Sequence, residues 1–100
     1  MGFKVILSPQ AIARLQEIVF YIAKDNPKAA ERFGLRLVNQ AHLLADFPEL
    51  GTSYRKRPNV RRLLCRHYFI YYRVKPSERV VEILDFWHTA RQEPEFPRVA

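Results

Sequence analysis

The chain holds a single cysteine, Cys65, so no disulfide can form within these 100 residues and a cysteine-based zinc site is excluded. A reducing compartment fits that usage. Glycine is scarce as well. Gly2, Gly34 and Gly51 are too widely separated to build a phosphate-cradling loop, and Ser8, Ser53 and Ser77 stand in no nucleophile-elbow pattern. Uninterrupted apolar runs extend for only a handful of residues, whereas a membrane-spanning helix needs roughly 20. The segment from Met1 to Ser8 lacks the longer apolar stretch of a signal peptide, and Ile6 occupies the position where a myristoylation signal carries Ser or Thr. A cytoplasmic protein without a membrane partner is expected. His42, His67 and His88 are scattered and no His-Glu-x-x-His pattern occurs, so no metal or other cofactor is expected.

The most informative absence is of negative charge along one segment. No carboxylate lies between Glu49 and Glu78, yet eight of the seventeen Lys and Arg residues do: Arg55, Lys56, Arg57, Arg61, Arg62, Arg66, Arg73 and Lys75. The formal net charge of +7 therefore divides into +8 here and −1 elsewhere, where nine bases face ten acids. Tyr68, Phe69, Tyr71 and Tyr72 are interleaved with these cations. A basic, aromatic-rich surface follows, whose field favours a polyanion or an acidic polypeptide.

What remains is the composition of an ordinary folded chain, with 48% hydrophobic and 27% charged residues. One domain over residues 1–100 is expected, because that length suffices to bury roughly 60 to 70% of the unfolded surface. Phe3 to Leu7 reads as a short strand. Ser8 is an N-cap and Pro9 suits a first helical position, so a helix begins there and continues to about Lys24. Its apolar stripe is Ile12, Leu15, Ile18, Val19 and Ile22. Asp25-Asn26-Pro27 ends it and caps a second helix, from about Lys28 to Asp46, giving a helical hairpin. Gly34 inside that helix costs about 1 kcal/mol relative to Ala and marks a close-packing point. The segment Phe47 to Gly51 stops the helix.

After a basic loop, Val60 to Cys65, Tyr68 to Val74 and Val80 to Trp87 read as three strands of an antiparallel meander, joined by a tight turn at Arg66-His67 and another at Lys75 to Glu78. The expected fold class is α+β, with an N-terminal strand, a helical hairpin and a three-stranded meander, the helices covering one sheet face. In the middle strand Tyr68, Ile70, Tyr72 and Val74 share the face assigned to the core. Phe69, Tyr71 and Arg73 share the face left open. The tail from Glu93 to Ala100 is expected to be irregular and partly mobile.

This element order, together with Pro48-x-x-Gly51, Val60-Arg61-Arg62-Leu63, Tyr68-x-Ile70-x-Tyr72-Arg73-Val74 and Ile83-x-x-Phe86-x-His88-x-x-Arg91, resembles the RelE/ParE superfamily of bacterial toxins. His88-x-x-Arg91 and Pro48-x-x-Gly51 look more like the ParE branch, associated with plasmid stabilisation. The resemblance implies the toxin of a type II toxin-antitoxin pair, neutralised by direct binding of an acidic antitoxin that folds on contact and able to enter higher-order assemblies. ParE-like members poison DNA gyrase. RelE-like members are metal-independent endonucleases of messenger RNA, commonly on the ribosome, and some relatives are not toxic.

Under the ribonuclease alternative the candidates are His88 as acid or base, with Arg61 and Arg91 (and Arg73) holding phosphate oxygens and Tyr71 stacking on a base. Under the binding alternative Arg55, Lys56, Arg57, Arg61, Arg62, Arg73, Tyr71 and Arg91 form a recognition surface. Each residue also has a plainer role. Arg61 at a strand start can simply cover the sheet edge, Tyr72 can pack in the core, Cys65 can be a small core residue, and Arg55-Lys56-Arg57 can be a solvated charge run. Trp87 reads as an anchor under the helices or in a partner groove.

Overall fold

The computed structural model describes residues 2–92; the expectation for the tail from 93 to 100 lies outside them. Strand β1 (Lys4–Leu7) leads into helix α1 (Pro9–Ala23) and helix α2 (Pro27–Leu43). Strands β2 (Thr52–Tyr54), β3 (Arg57–Cys65), β4 (Tyr68–Lys75) and β5 (Val80–His88) follow, with a 3-10 turn at Pro76–Glu78 before the last. All five strands share one sheet in the order β1-β5-β4-β3-β2, with β1 parallel to β5 and the other pairs antiparallel.

Both helices start on side-chain caps. The Ser8 hydroxyl accepts from the Ala11 amide at 3.0 Å and the Asn26 carbonyl oxygen from the Ala29 amide at 3.1 Å, each with proline in the first turn. Ser8 is also a corner, since its own amide donates to the Ile83 carbonyl at 2.9 Å and ties the start of α1 to β5. Gly34 is the expected contact point of the hairpin: a Cβ there would sit 3.0 Å from a methyl of Val19 on α1.

One sheet face packs on the helices. Ile18 of α1 and Leu37 and Ala41 of α2 meet Cys65, Ile70, Tyr72, Val81, Ile83 and Phe86, with Tyr68 and Val74 packed alongside. The core side of β4 and the core placement of Cys65 therefore stand as read from the sequence. The loop before the meander differs in detail. It carries a further short strand, β2, and β3 begins at Arg57 instead of Val60, so the sheet has four antiparallel strands where three were expected. Three residues, Thr52-Ser53-Tyr54, give too short an alternation to stand out in a polar, basic loop.

That strand closes the opposite face. Tyr54 meets Tyr71 edge-on, with ring centroids 5.1 Å apart, and these two pack with Val60 into a second cluster flanked by Phe69, Leu84 and Trp87. A β-bulge in β5, where Leu84 is the extra residue between the partners of Tyr71 and Tyr72, leaves β4 in regular alternation, so these two adjacent tyrosines point to opposite faces and both are buried. Tyr71 is 1% exposed. The expectation that it lies open to stack on a base is thus corrected.

Burial also acts on two titratable groups. It pushes the Cys65 thiol and the Tyr68 phenol above their ordinary pKa values, against the fields of Arg36 and Arg66 at the thiol and of Arg91 at the phenol. Both groups are neutral when protonated, so the native state holds these protons more tightly than the unfolded chain. Their contribution is fully present below the unfolded pKa values, about 8.5 and about 10, and is lost as pH rises through the folded ones. The urea midpoint is expected to be level between about pH 7 and 8 and to fall toward pH 11, with Cys65→Ala removing the earlier part of the fall. A level profile to pH 11 would contradict this.

Candidate functional site

The carboxylate-free segment does not converge as a whole: its cations divide between the two sheet faces, and a third candidate place, built mostly from outside the segment, lies at the end of β5. On the outer sheet face Arg62 lies with its guanidinium carbon 4.1 Å over the Phe69 ring and 5.4 Å over Tyr54, and it donates to the Tyr71 hydroxyl at 3.4 Å. Beside it, Arg55 and Lys56 form the two-residue hairpin between β2 and β3. Together with Thr52, Ser53, Tyr54 and Arg62 they line a concavity of about 690 Å³. At the far end of the same face Arg73 and Lys75 turn to Glu82, at 2.7 and 3.6 Å, so that charge is locally balanced. Arg57 begins β3 opposite Tyr54.

Arg61 belongs to the other side. Its guanidinium donates to the carbonyls of Gly51 at 2.7 Å and Glu49 at 3.2 Å. Tyr72 grips the same turn, its hydroxyl donating to the Pro48 carbonyl at 2.8 Å and accepting from the Gly51 amide at 2.9 Å. The Pro48-x-x-Gly51 turn is thereby clamped onto the sheet by a strand arginine and a strand tyrosine. Both side chains bond the backbone of this turn.

The third place is the end of β5. His88 and Arg91 line a cleft of about 290 Å³ with Arg14, Glu17 and Tyr21 of α1 and with Tyr68 and Phe86 of the sheet. The His88 ring stands edge-on to Tyr68 at 5.0 Å and stacks toward His67 at 6.2 Å. Its Nδ1 accepts the Ala90 amide at 3.0 Å, which places the ring proton on Nε2 and occupies the lone pair that a general base would use. Trp87 carries the guanidinium groups of Arg14 and Arg91 at 4.7 and 4.6 Å from its ring, while its indole N–H donates to the Gln92 carbonyl. The tryptophan is an anchor for arginines.

Arg61 stands apart from His88 and Arg91. Along the ladder Arg61 faces Tyr72, whereas His88 faces Tyr68, four residues away, which separates them by about 13 Å along the strands and by two strand spacings across. Of the three, only His88 and Arg91 meet. Sequence reasoning missed Arg14 and Asp85, which organise this end. Asp85 is fully buried and accepts from Arg14 Nε at 3.1 Å, Gln10 Nε2 at 2.9 Å and the Phe86 amide at 2.8 Å. Burial alone would lower the Arg14 pKa, but the hydrogen bond and charge of Asp85 outweigh it and hold the guanidinium above its ordinary value. The signal in the sequence was an acid set within the apolar run from Ile83 to Trp87. Among the described residues no three metal-ligating side chains converge, and no helix is long and apolar enough to cross a membrane.

The model of the ParE toxin of the type II toxin-antitoxin system parDE matches residues 5–93. The chain belongs to the ParE toxin family. A curated relative of this ParE-family toxin, named "Putative toxin Y4kP", from Sinorhizobium fredii, is 38% identical over 88 residues, covering 86% of this chain and 88% of the relative. Among solved structures, the chromosomal ParDE system of P. aeruginosa superposes with a TM-score of 0.73 at 24% identity, covering 87% of this toxin and 96% of that chain. The RelBE2 complex of Mycobacterium tuberculosis gives 0.68 at 19%, covering 88% and 99%, so the fold is common to the ParE and RelE branches.

Proposed function

We propose that this ParE-family toxin arrests growth by binding an essential target, DNA gyrase, without performing chemistry, and that an acidic antitoxin neutralises it in the cytoplasm. The observation carrying the reading is the separation of the ribonuclease candidates. Arg61 is committed to the Pro48–Gly51 turn and His88 has its basic nitrogen engaged, while the cations that do cluster, Arg55, Lys56 and Arg62, form a contact surface. A binder needs such a surface; an RNA-cleaving site needs an acid, a base and phosphate-holding cations around one atom.

The antitoxin reading rests on the helices. Phe20 and Tyr21 of α1 are each 73% exposed, and Leu35 and Leu43 of α2 lie exposed beside Arg32 and Arg36. Apolar side chains flanked by cations suit an amphipathic, acidic segment that folds as it docks. Purified toxin is expected to inhibit gyrase supercoiling of plasmid DNA at modest molar excess, with His88→Ala as active as the native chain. Unimpaired supercoiling at high excess, or metal-free cutting of ribosome-bound message that His88→Ala abolishes, would replace this reading by the ribonuclease one.

A further inference from the structure

We infer that the cleft between α1 and the end of β5 is a carboxylate-binding pocket, which takes an acidic side chain and its apolar neighbour from a partner polypeptide. That this polypeptide is the antitoxin rests on the helix-docking reading above. Arg91 supplies the charge. It is exposed, its guanidinium lies 4.6 Å from the Trp87 ring, and among the described residues it makes no ion pair or side-chain hydrogen bond. Tyr68 supplies a donor from the sheet, since its hydroxyl has no partner among the described residues and is not sealed from solvent. Burial raises the pKa of this phenol and the charge of Arg91 opposes the rise, so both groups face one space. His88 adds its Nε2 proton, because its Nδ1 accepts from the Ala90 amide. The space they share is about 290 Å³, at the small end of ligand pockets, which run from roughly 300 to 1,000 Å³. It holds side chains, not a polymer strand.

The charge count decides which anion fits. Arg14 also lines the cleft, but Asp85 holds it from the interior at 3.1 Å and Glu17 from the solvent side at 3.2 Å. The Glu17 side chain is 66% exposed, and an exposed pair of this kind is weak, so an incoming carboxylate displaces it at little cost. With Glu17 turned to water, Arg14 and Arg91 against Asp85 leave one net positive charge. One carboxylate matches it. A phosphate dianion or a nucleic-acid strand would bring surplus negative charge beside Asp85 and Glu17. The walls made by Ile18, Tyr21 and the Tyr68 ring suit an apolar side chain next to the acid. Tyr21 also belongs to the exposed pair Phe20-Tyr21, so the cleft opens beside the helical face on which an acidic, amphipathic segment docks.

The test follows the indole N–H NMR signal of Trp87, the single tryptophan, while acetyl-Leu-Glu-amide is added to the full-length toxin. A dissociation constant of about 1 mM is expected for so small a probe. The neutral acetyl-Leu-Gln-amide should bind about tenfold more weakly, and Arg91→Gln should cost the acidic probe about the same factor. Glu17→Gln removes the competing carboxylate and is expected to tighten binding about threefold, which a merely structural role of that pair would not do. Lys28→Gln, which removes one charge from the exposed start of α2, should bind as the native chain does. Equal affinity for the two dipeptides, native affinity in Arg91→Gln, unchanged or weaker binding in Glu17→Gln, an equal loss in Lys28→Gln, or tighter binding of inorganic phosphate or tetrauridylate would each overturn the assignment. Such a failure would leave docking on Leu35 and Leu43 of α2 standing. Selective capture of the acidic dipeptide by a toxin that no co-encoded acidic protein neutralises would uphold the pocket while removing the antitoxin reading.

Discussion

Replacing Asp85 by alanine is expected to destabilise the toxin by about 3–5 kcal/mol, because it takes the buried partner from Arg14 and leaves that guanidinium only the exposed Glu17. Three donors lose their acceptor at once: Arg14, Gln10 and the Phe86 amide. Trp87 is the only tryptophan and lies next to Arg14, so its fluorescence during urea unfolding reports on this region. The joint change Asp85→Leu/Arg14→Met should recover most of the loss, since an apolar pair avoids the desolvation that the ion pair bears. A single Asp85→Ala costing under about 1 kcal/mol would mean that the carboxylate is not the organising group.

The second large effect is expected at Gly51. A Cβ there would lie 2.6 Å from the Arg62 carbonyl oxygen and 2.8 Å from the Tyr72 hydroxyl. The first is sheet backbone and cannot step aside, so Gly51→Ala must push the turn away from β3. The Gly51 amide bond to Tyr72 and the Arg61 bond to the Gly51 carbonyl weaken together. Overpacking and the two bonds add to about 3 kcal/mol, a drop in melting temperature of roughly 12–24 °C. Tyr72→Phe, which removes only the hydroxyl, should cost about half as much. Melting within about 2 °C of the native toxin for Gly51→Ala would show that the clamp is loose.

The same turn illustrates why some residues were misread. Arg61 and Arg62 are adjacent in a basic segment and equal in charge, yet strand alternation sends them to opposite faces. One becomes a clamp and the other a surface cation. Tyr71 and Tyr72 would also have parted cleanly, one in and one out, had β2 not laid Tyr54 across the outer face. A three-residue strand leaves too little pattern to be seen, and its effect on Tyr71 is felt seventeen residues later in the chain. Asp85 was legible only as an oddity, an acid in an apolar run, because its partners lie on α1 more than seventy residues earlier.

By itself the chain of residues determined the strand, the capped helical hairpin, the meander, the core side of β4 and the concentration of positive charge, because caps, periodicity and charge are local properties along the backbone. The toxin family was legible for the same reason, carried by the spacing of short motifs. Only the tertiary structure decided which cations meet. That outcome depends on strand register, on the bulge at Leu84 and on the added edge strand, each set by packing between distant segments. Hence Arg61 and His88 lie apart, and Arg55, Lys56 and Arg62 share one concavity.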